Sequence, residues 1–335
     1  MARRRLTEQQ KNRVARIQEK RRQRAASVAE QALADAQDVI TQRGRVVVRH
    51  GRSLLLRAQD GRNVHAMFRA NLGEVVCGDE VLWQPTGDDE GVVTAVQPRS
   101  TALSRPDYSG QDKAIAANIT QLVVVLAVRP EPVSYLLDQY LVAAERIGVA
   151  GLICLNKIDL LDDAERGMFH ARYAHYEHIG YPMVEISAKT EHGLDPLLDR
   201  LRGETSILVG QSGVGKSSLI NALIPRENVA EGRLSDATGL GRHTTSAATL
   251  YALQSGGELI DSPGVRSFRL GHLTRRELEQ GYREFRPYLG QCRFHNCAHL
   301  AEPGCAIRAA VEHGDIAEAR LDNYRHMLAQ TVNTE

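Results

Sequence analysis

No stretch of this 335-residue chain stays apolar for long. The longest such run, LVVVLAV from Leu122 to Val128, falls far short of the roughly 18 residues a membrane helix needs, so no membrane span is expected. The basic N-terminus has no apolar segment behind it and does not read as a secretory signal, which makes the cytoplasm the expected compartment. Cysteine is scarce, with five in all. Cys77 and Cys154 sit alone in apolar, strand-like surroundings and read as small buried hydrophobes. Cys292, Cys297 and Cys305 cluster with histidines, which in a reducing compartment argues for metal rather than disulfide.

Net charge is also nearly absent, at +1, but the total hides an asymmetry. Residues 1 to 24 hold ten Lys or Arg against Glu8 and Glu19, a local +8, which leaves −7 on the remainder. A basic arm on a mildly acidic body is the usual footprint of nucleic-acid binding through phosphates. Residues 1 to 38 contain neither Gly nor Pro, so the arm is expected to be flexible alone and helical once its charges are neutralised. The rest has the composition of a folded globular protein, 42% hydrophobic and 25% charged, and its length suggests two or three domains.

Short β-rich runs broken by Gly, Asp and Asn follow, from GRVVVRHGRSLLLRAQDG to EGVVTAVQP. About five strands at this spacing fit an OB-fold barrel over residues 39 to 100. Arg43, Arg45, Arg49, Arg52, Arg57, Arg62 and Arg69 would supply it with positive charge for an oligonucleotide. The polar stretch 101 to 117 reads as a linker. From Ile119 strands and helices alternate, which predicts a doubly wound sheet with ligand loops at the carboxyl ends of its strands.

Several nucleotide motifs fall at such ends. GQSGVGKS, comprising Gly210, Gln211, Ser212, Gly213, Val214, Gly215, Lys216 and Ser217, with Ser218 behind it, matches G-x-x-x-x-G-K-S between a strand and a helix. Its backbone amides can curl around phosphate oxygens, Lys216 can reach the β and γ phosphates, and Ser217 can ligate magnesium. In NKID, the Asp159 carboxylate can accept from the two donors on the Watson–Crick edge of guanine, a pair adenine lacks. Asn156 can meet the opposite edge of that base and Lys157 can lay its stem along the base plane. Ser187, Ala188 and Lys189 follow the next strand, where a backbone amide can reach the guanine carbonyl.

DSPG, with Asp261 and Gly264, resembles the D-x-x-G element that contacts magnesium through water and senses the γ-phosphate. GRHTT lies in a Gly-rich segment where a switch loop should place a threonine on magnesium; Thr244 and Thr245 both fit, with Thr245 preferred. The order is base-reading motif, SAK, phosphate loop, switch I, switch II, the order of a circularly permuted GTPase, with a helix near Leu194 to Leu201 as the join. That assigns residues 118 to 275 to a permuted P-loop GTPase domain of α/β class. Residues 276 to 335 form a mainly helical metal-binding domain. Its CRFHNCAHLAEPGC offers Cys292, Cys297, His299 and Cys305, a tetrahedral set suited to a closed structural zinc site, with His295 competing for the imidazole place.

With these motifs in this order, the chain resembles over essentially its whole length the circularly permuted GTPases of the RsgA family, also called YjeQ or YloQ. The resemblance implies GTP hydrolysis stimulated by the 30S subunit, contact with 16S rRNA and a late part in small-subunit maturation, and it favours His299 over His295. A monomer with one zinc, and magnesium accompanying GTP, is expected. A nucleotide-dependent RNA-binding scaffold, or a non-ribosomal RNA factor with incidental turnover, is the competing reading. Val265 stands where many GTPases place a water-orienting Gln, so slow intrinsic hydrolysis is expected, with His243 as the candidate catalytic group beside Lys216 and Thr245.

Overall fold

The computed structural model describes residues 41–69, 72–106, 112–224, 247–262 and 273–332. The basic arm, the GRHTT segment with His243 and Thr245, and Gly264 and Val265 lie outside the described residues. No helix among those described is long and apolar enough to cross a membrane.

The chain divides into two compact units, the first built around residues 41–75 and 80–98. Within it β1 (Gln42–His50), β2 (Ser53–Ala58), β3 (Asn63–Phe68), β4 (Glu80–Pro85) and β5 (Glu90–Val96) close a five-stranded barrel. Neighbours run β1-β2-β3-β5-β4 and back to β1, antiparallel except for β3 with β5. Period-two alternation turns Val46, Leu54, Leu56, Val64, Val81 and Val93 inward around a fully buried Trp83. Gly91 is required there, because a Cβ would come within 2.5 Å of the indole. The outward positions carry the arginines, with Arg45 opposite Arg57. Arg49 lies 5.1 Å from the Phe68 ring centroid and donates to Val75 O at 2.6 Å, and Arg62 pairs with Asp60 at 3.0 Å, so these two are held within the barrel.

The stretch expected to be a linker is instead a hairpin, β6 (Ala102–Pro106) with β7 (Asp112–Ala117). Leu103 and Ala116 are buried in the core of the second unit. The polar letters that suggested a linker concentrate between the two strands, and the apolar ones pack.

The second unit holds a sheet in the order β10 (Met183–Glu185), β9 (Ala150–Asn156), β8 (Gln121–Ala127), β11 (Thr205–Val209), β13 (Glu258–Asp261) and β12 (Thr249–Ala252), parallel except for β12. Every residue of β8 is buried, which explains its unbroken apolar run. On one face Leu122, Val124 and Leu126 meet α1 (Ser134–Ile147) and α2 (Asp163–His178). On the other, Val123, Val125 and Ala127 meet α3 (Leu194–Leu201) and α4 (Lys216–Leu223).

A helical module follows: α5 (Arg275–Gln280), a 3-10 turn at Arg283–Tyr288, α6 (Ala306–His313) and α7 (Glu318–Val332). Tyr282, Phe285 and Tyr324 form its aromatic centre, with ring centroids 4.7 to 5.8 Å apart. Helix α1 has two buried sides. Leu137, Tyr140, Leu141 and Ala144 pack on the sheet, as the 3.6-residue period predicts, but Asp138 and Val142 are also buried, and Val142 packs in the module's core.

Candidate functional site

Three of the motifs converge on one buried side chain. Asn156, at the end of β9 and 1% exposed, donates from Nδ2 to Val214 O of the phosphate loop at 2.8 Å. Its Oδ1 accepts from Lys157 N at 2.8 Å and from Ala188 N at 3.1 Å. One carboxamide therefore clasps the NKID, GQSGVGKS and SAK loops together. One of its two N–H bonds is committed to the loop, so a base could receive only the other.

The phosphate loop explains its glycines by close approach. A Cβ on Gly215, where φ is +96°, would lie 2.4 Å from Asn156 Nδ2, and one on Gly210, at φ +136°, 2.2 Å from Val125 O. Lys157, at φ +65°, reaches back across the loop and donates from Nζ to Gly213 O at 2.6 Å and Arg129 O at 2.8 Å. The sequence reading laid this stem along a base plane; the structure also gives it the work of a strap. Lys216 Nζ lies 2.6 Å from both the Gly210 and Gln211 carbonyls. Ser212, Ser217 and Ser218 are exposed around the start of α4, and Val214 is buried beneath.

Asp159 presents an exposed carboxylate whose Oδ1 accepts from Ser187 Oγ at 2.7 Å. Ser187 Oγ accepts in turn from Thr190 N at 3.2 Å, so the carboxylate is oriented by a fixed hydroxyl. Lys189 is exposed beside it in sequence. Asp261 ends β13, next but one in the sheet to β8 and adjacent to the strand that feeds the phosphate loop. The arrangement offers amides and a lysine for phosphates, and an oriented acceptor for a donor-bearing base edge.

The second cluster gathers Cys292, Cys297, His299 and Cys305, whose ligand atoms all lie within 4.8 Å of one another. His299 Nδ1 is 3.6, 3.6 and 3.3 Å from the Cys292, Cys297 and Cys305 sulfurs. A tetrahedral ion with ordinary zinc bond lengths would put nitrogen and sulfur about 3.5 Å apart, so the set fits. His295 is exposed and outside the cluster. Burial pushes the Cys297 thiol up to about 12, and a divalent cation supplies the charge that would hold it as thiolate.

Sequence reasoning missed the residue behind the histidine. Glu279 of α5 lies 3.5 Å from His299 Nε2, and a carboxylate on the far ring nitrogen fixes Nδ1 as the ligand. Nothing in the spacing of RRELEQ signals this, because the contact spans two elements. Glu302 shapes the ligand loop by accepting from the amides of Ala298 at 2.8 Å, Leu300 at 2.9 Å and Ala301 at 3.0 Å. Those amides, Ala298 foremost, hold its carboxyl at about 2, so this stabilisation is present above the ordinary carboxylate value near ~4.3 and is lost as pH falls toward 2. Glu302→Gln can keep only one of its two acceptor oxygens. It is expected to speed chelator-driven release of bound metal several-fold at neutral pH, followed by the absorbance of a chelating dye; an unchanged rate would remove Glu302 from the metal loop's support.

Comparison with known proteins agrees with this geometry. Residues 96–271 match the RsgA GTPase family. The small ribosomal subunit biogenesis GTPase RsgA of Hahella chejuensis is 45% identical over 97% of this chain and 95% of its own length. That of Pseudomonas aeruginosa is 44% identical over the whole of both chains. Among solved structures, YjeQ from Thermotoga maritima has a TM-score of 0.72 at 31% identity, covering 88% of this chain and 99% of that one. YloQ, described as a circularly permuted GTPase, gives 0.70 at 26% identity over 88% and 96%. A barrel, a permuted nucleotide-binding sheet and a Cys3His module in one chain, matched end to end by these relatives, mean that the chain belongs to the RsgA GTPase family.

Proposed function

We propose that this chain hydrolyses GTP to GDP and phosphate during late maturation of the 30S small ribosomal subunit, and that docking on the subunit stimulates the reaction. The observation that carries this reading is the Asn156 clasp, which makes one pocket of three motifs that stand in permuted order in the sequence. Asp159, oriented by Ser187, would read the guanine edge, with the Ala188 amide and Lys189 completing the base side. Gly210 to Ser218 would hold the phosphates, with Lys216 on the β and γ groups. Magnesium, when bound with GTP, neutralises charge developing on the phosphate oxygens; Ser217 and Thr245 are its assigned ligands, with Asp261 and Gly264 beside the γ-phosphate. His243 is assigned to the attacking water because Val265 cannot hydrogen-bond it.

The Cys3His site takes zinc in this reading, one per chain, because three thiolates and an imidazole leave no open position and suit a soft tetrahedral ion. The partner is the 30S particle with its 16S rRNA, met by the basic arm and the arginine-bearing barrel of a monomeric, cytoplasmic protein. Phosphate release with and without purified 30S subunits tests the proposal. Turnover is expected to rise by at least an order of magnitude with subunits; a rate that subunits leave unchanged would sink the ribosomal part of the reading.

A further inference from the structure

Among the described residues, Phe294 is the one exposed Phe, Tyr or Trp, at 42% exposure; the other exposed large hydrophobics, Val133, Leu160, Met168 and Leu300, are aliphatic. It sits in the four-residue loop between Cys292 and Cys297, two of the metal-site cysteines. The Arg293 guanidinium lies 5.5 Å from its ring centroid. His295 and Asn296, next in the loop, are also exposed.

The loop is built to hold this pair still. Arg293 N donates to Gly304 O at 2.9 Å and Cys297 N to Phe294 O at 3.2 Å, while Arg275 of α5 grips the Asn296 carbonyl at 3.0 Å. Gly304, at φ +72°, makes room for Arg293: a Cβ there would come within 2.9 Å of the arginine Cβ. A lone exposed ring is ordinary on a protein surface; this one differs in that its loop backbone is pinned on both sides and a guanidinium lies against it. A single rigid π face flanked by a cation and by polar groups is a poor match for a protein partner, which needs a contiguous apolar patch of several hundred Å². It is a good match for an unpaired base, which stacks on aromatic and guanidinium planes and offers its edge to donors and acceptors.

We propose that the Cys292–Cys297 loop is a binding site for an unpaired RNA base, with Phe294 as the stacking platform, Arg293 as its cationic partner, and His295 and Asn296 at the base edge. This rests on the ribosomal reading above only for the source of the RNA. Because the loop is preorganised, little ordering cost is lost on binding. It would give the metal module a sequence-tolerant grip on exposed single strand, separate from the phosphate contacts of a basic arm.

The test titrates the full-length, metal-loaded protein with a fluorescent single-stranded RNA of about 12 nucleotides and, in parallel, with purified 30S subunits. Phe294→Ala and Phe294→Leu are expected to weaken RNA binding about tenfold and Phe294→Tyr to restore it. Arg293→Ala should weaken binding severalfold with little change in its salt dependence, as loss of a stacking partner rather than a phosphate contact would. Metal content and GTP hydrolysis without subunits should not change in any of them, and 5-iodouridine RNA should photocrosslink within Arg293–Asn296. Wild-type RNA affinity in Phe294→Ala, with the crosslink elsewhere, overturns the proposal. So does a variant that loses subunit binding but keeps RNA binding, since the ring would then meet a ribosomal protein. A wild-type protein that binds RNA through Phe294 yet ignores 30S subunits upholds this site and sinks the ribosomal reading instead.

Discussion

Asn156→Ala is expected to weaken GDP and GTP binding by about two orders of magnitude while moving the melting temperature little. Three hydrogen bonds vanish with the carboxamide, to Val214 O, Lys157 N and Ala188 N. At about 1 kcal/mol each they amount to roughly 3 kcal/mol, or a factor near 100 in an equilibrium constant. The loss falls on the mutual placement of three loops rather than on the core, because β9 keeps its parallel pairing with β8 and its apolar residues Leu152 to Leu155 stay buried. Asn156→Asp is expected to be no better. It retains acceptors for the two amides but turns a charged oxygen toward the Val214 carbonyl in place of the donor. Titration with a fluorescent guanine nucleotide, beside a thermal melt, measures both quantities. A fall in affinity below about fivefold would mean that the loops hold their places without the clasp.

The motifs that define this site were legible because each is local. Gly210 and Gly215 must be glycine for reasons of positive φ and close approach, and the sequence announces that need directly. The Cys3His spacing announced its cluster in the same way, since four ligands within fourteen residues can only close on one another. What stayed hidden was pairing over distance. The roles of Asn156 and Lys157 as clasp and strap depend on the phosphate loop more than fifty residues on. The hairpin over Ala102–Ala117 was hidden by the polar sequence between its strands, and its packing partners, Cys77 and the sheet core, lie elsewhere in the chain.

Helix α1 shows the same limit most clearly. Its sheet-facing side has a readable period, whereas Asp138 and Glu145 look in sequence like an ordinary solvent face. Their arginine partners are 138 to 182 residues away: Arg283 and Arg286 on Glu145, Arg320 on Asp138. The sequence order attaches the metal module next to switch II and suggests that it moves with the γ-phosphate. Among the described residues the module also packs against α1 and α2 of the base-reading half. A signal from a partner bound to the module is therefore expected to reach the base-reading half through α1.

That docking has a single point of greatest leverage. Arg320 of α7 is fully buried, with Nη1 2.5 Å from Asp138 Oδ1 and a bidentate contact to Glu284 at 2.5 and 3.0 Å. Its guanidinium also lies 4.4 Å from the Tyr282 ring and 5.1 Å from that of Tyr176. Asp138 takes two further donors, Tyr176 Oη at 2.5 Å and Asn323 Nδ2 at 2.8 Å. Arg320→Met keeps the volume but strands two carboxylates, which costs roughly 3 to 5 kcal/mol where a buried partner is removed. Hydrogen exchange across α7 reads the change locally, with an expected loss of protection of about two to three orders of magnitude. Burial already raises the Asp138 carboxyl above the usual range, and the Arg320 charge is the chief opposing influence. Without it Asp138 takes a proton to stay folded, so the variant's stability should fall as pH rises from the unfolded carboxylate value through the raised folded one, and its deficit should be largest at the alkaline end. Adding Asp138→Asn to Arg320→Met removes one stranded charge, so it should recover part of the lost stability and abolish most of that pH dependence. GTP hydrolysis without subunits should survive in the variant, because none of these residues touches the loops clasped by Asn156, whereas stimulation by 30S subunits should fall with the loosened module. Wild-type exchange rates in α7 would show that the ion cluster does not hold the module, and full stimulation despite lost protection would show that the signal does not pass through α1.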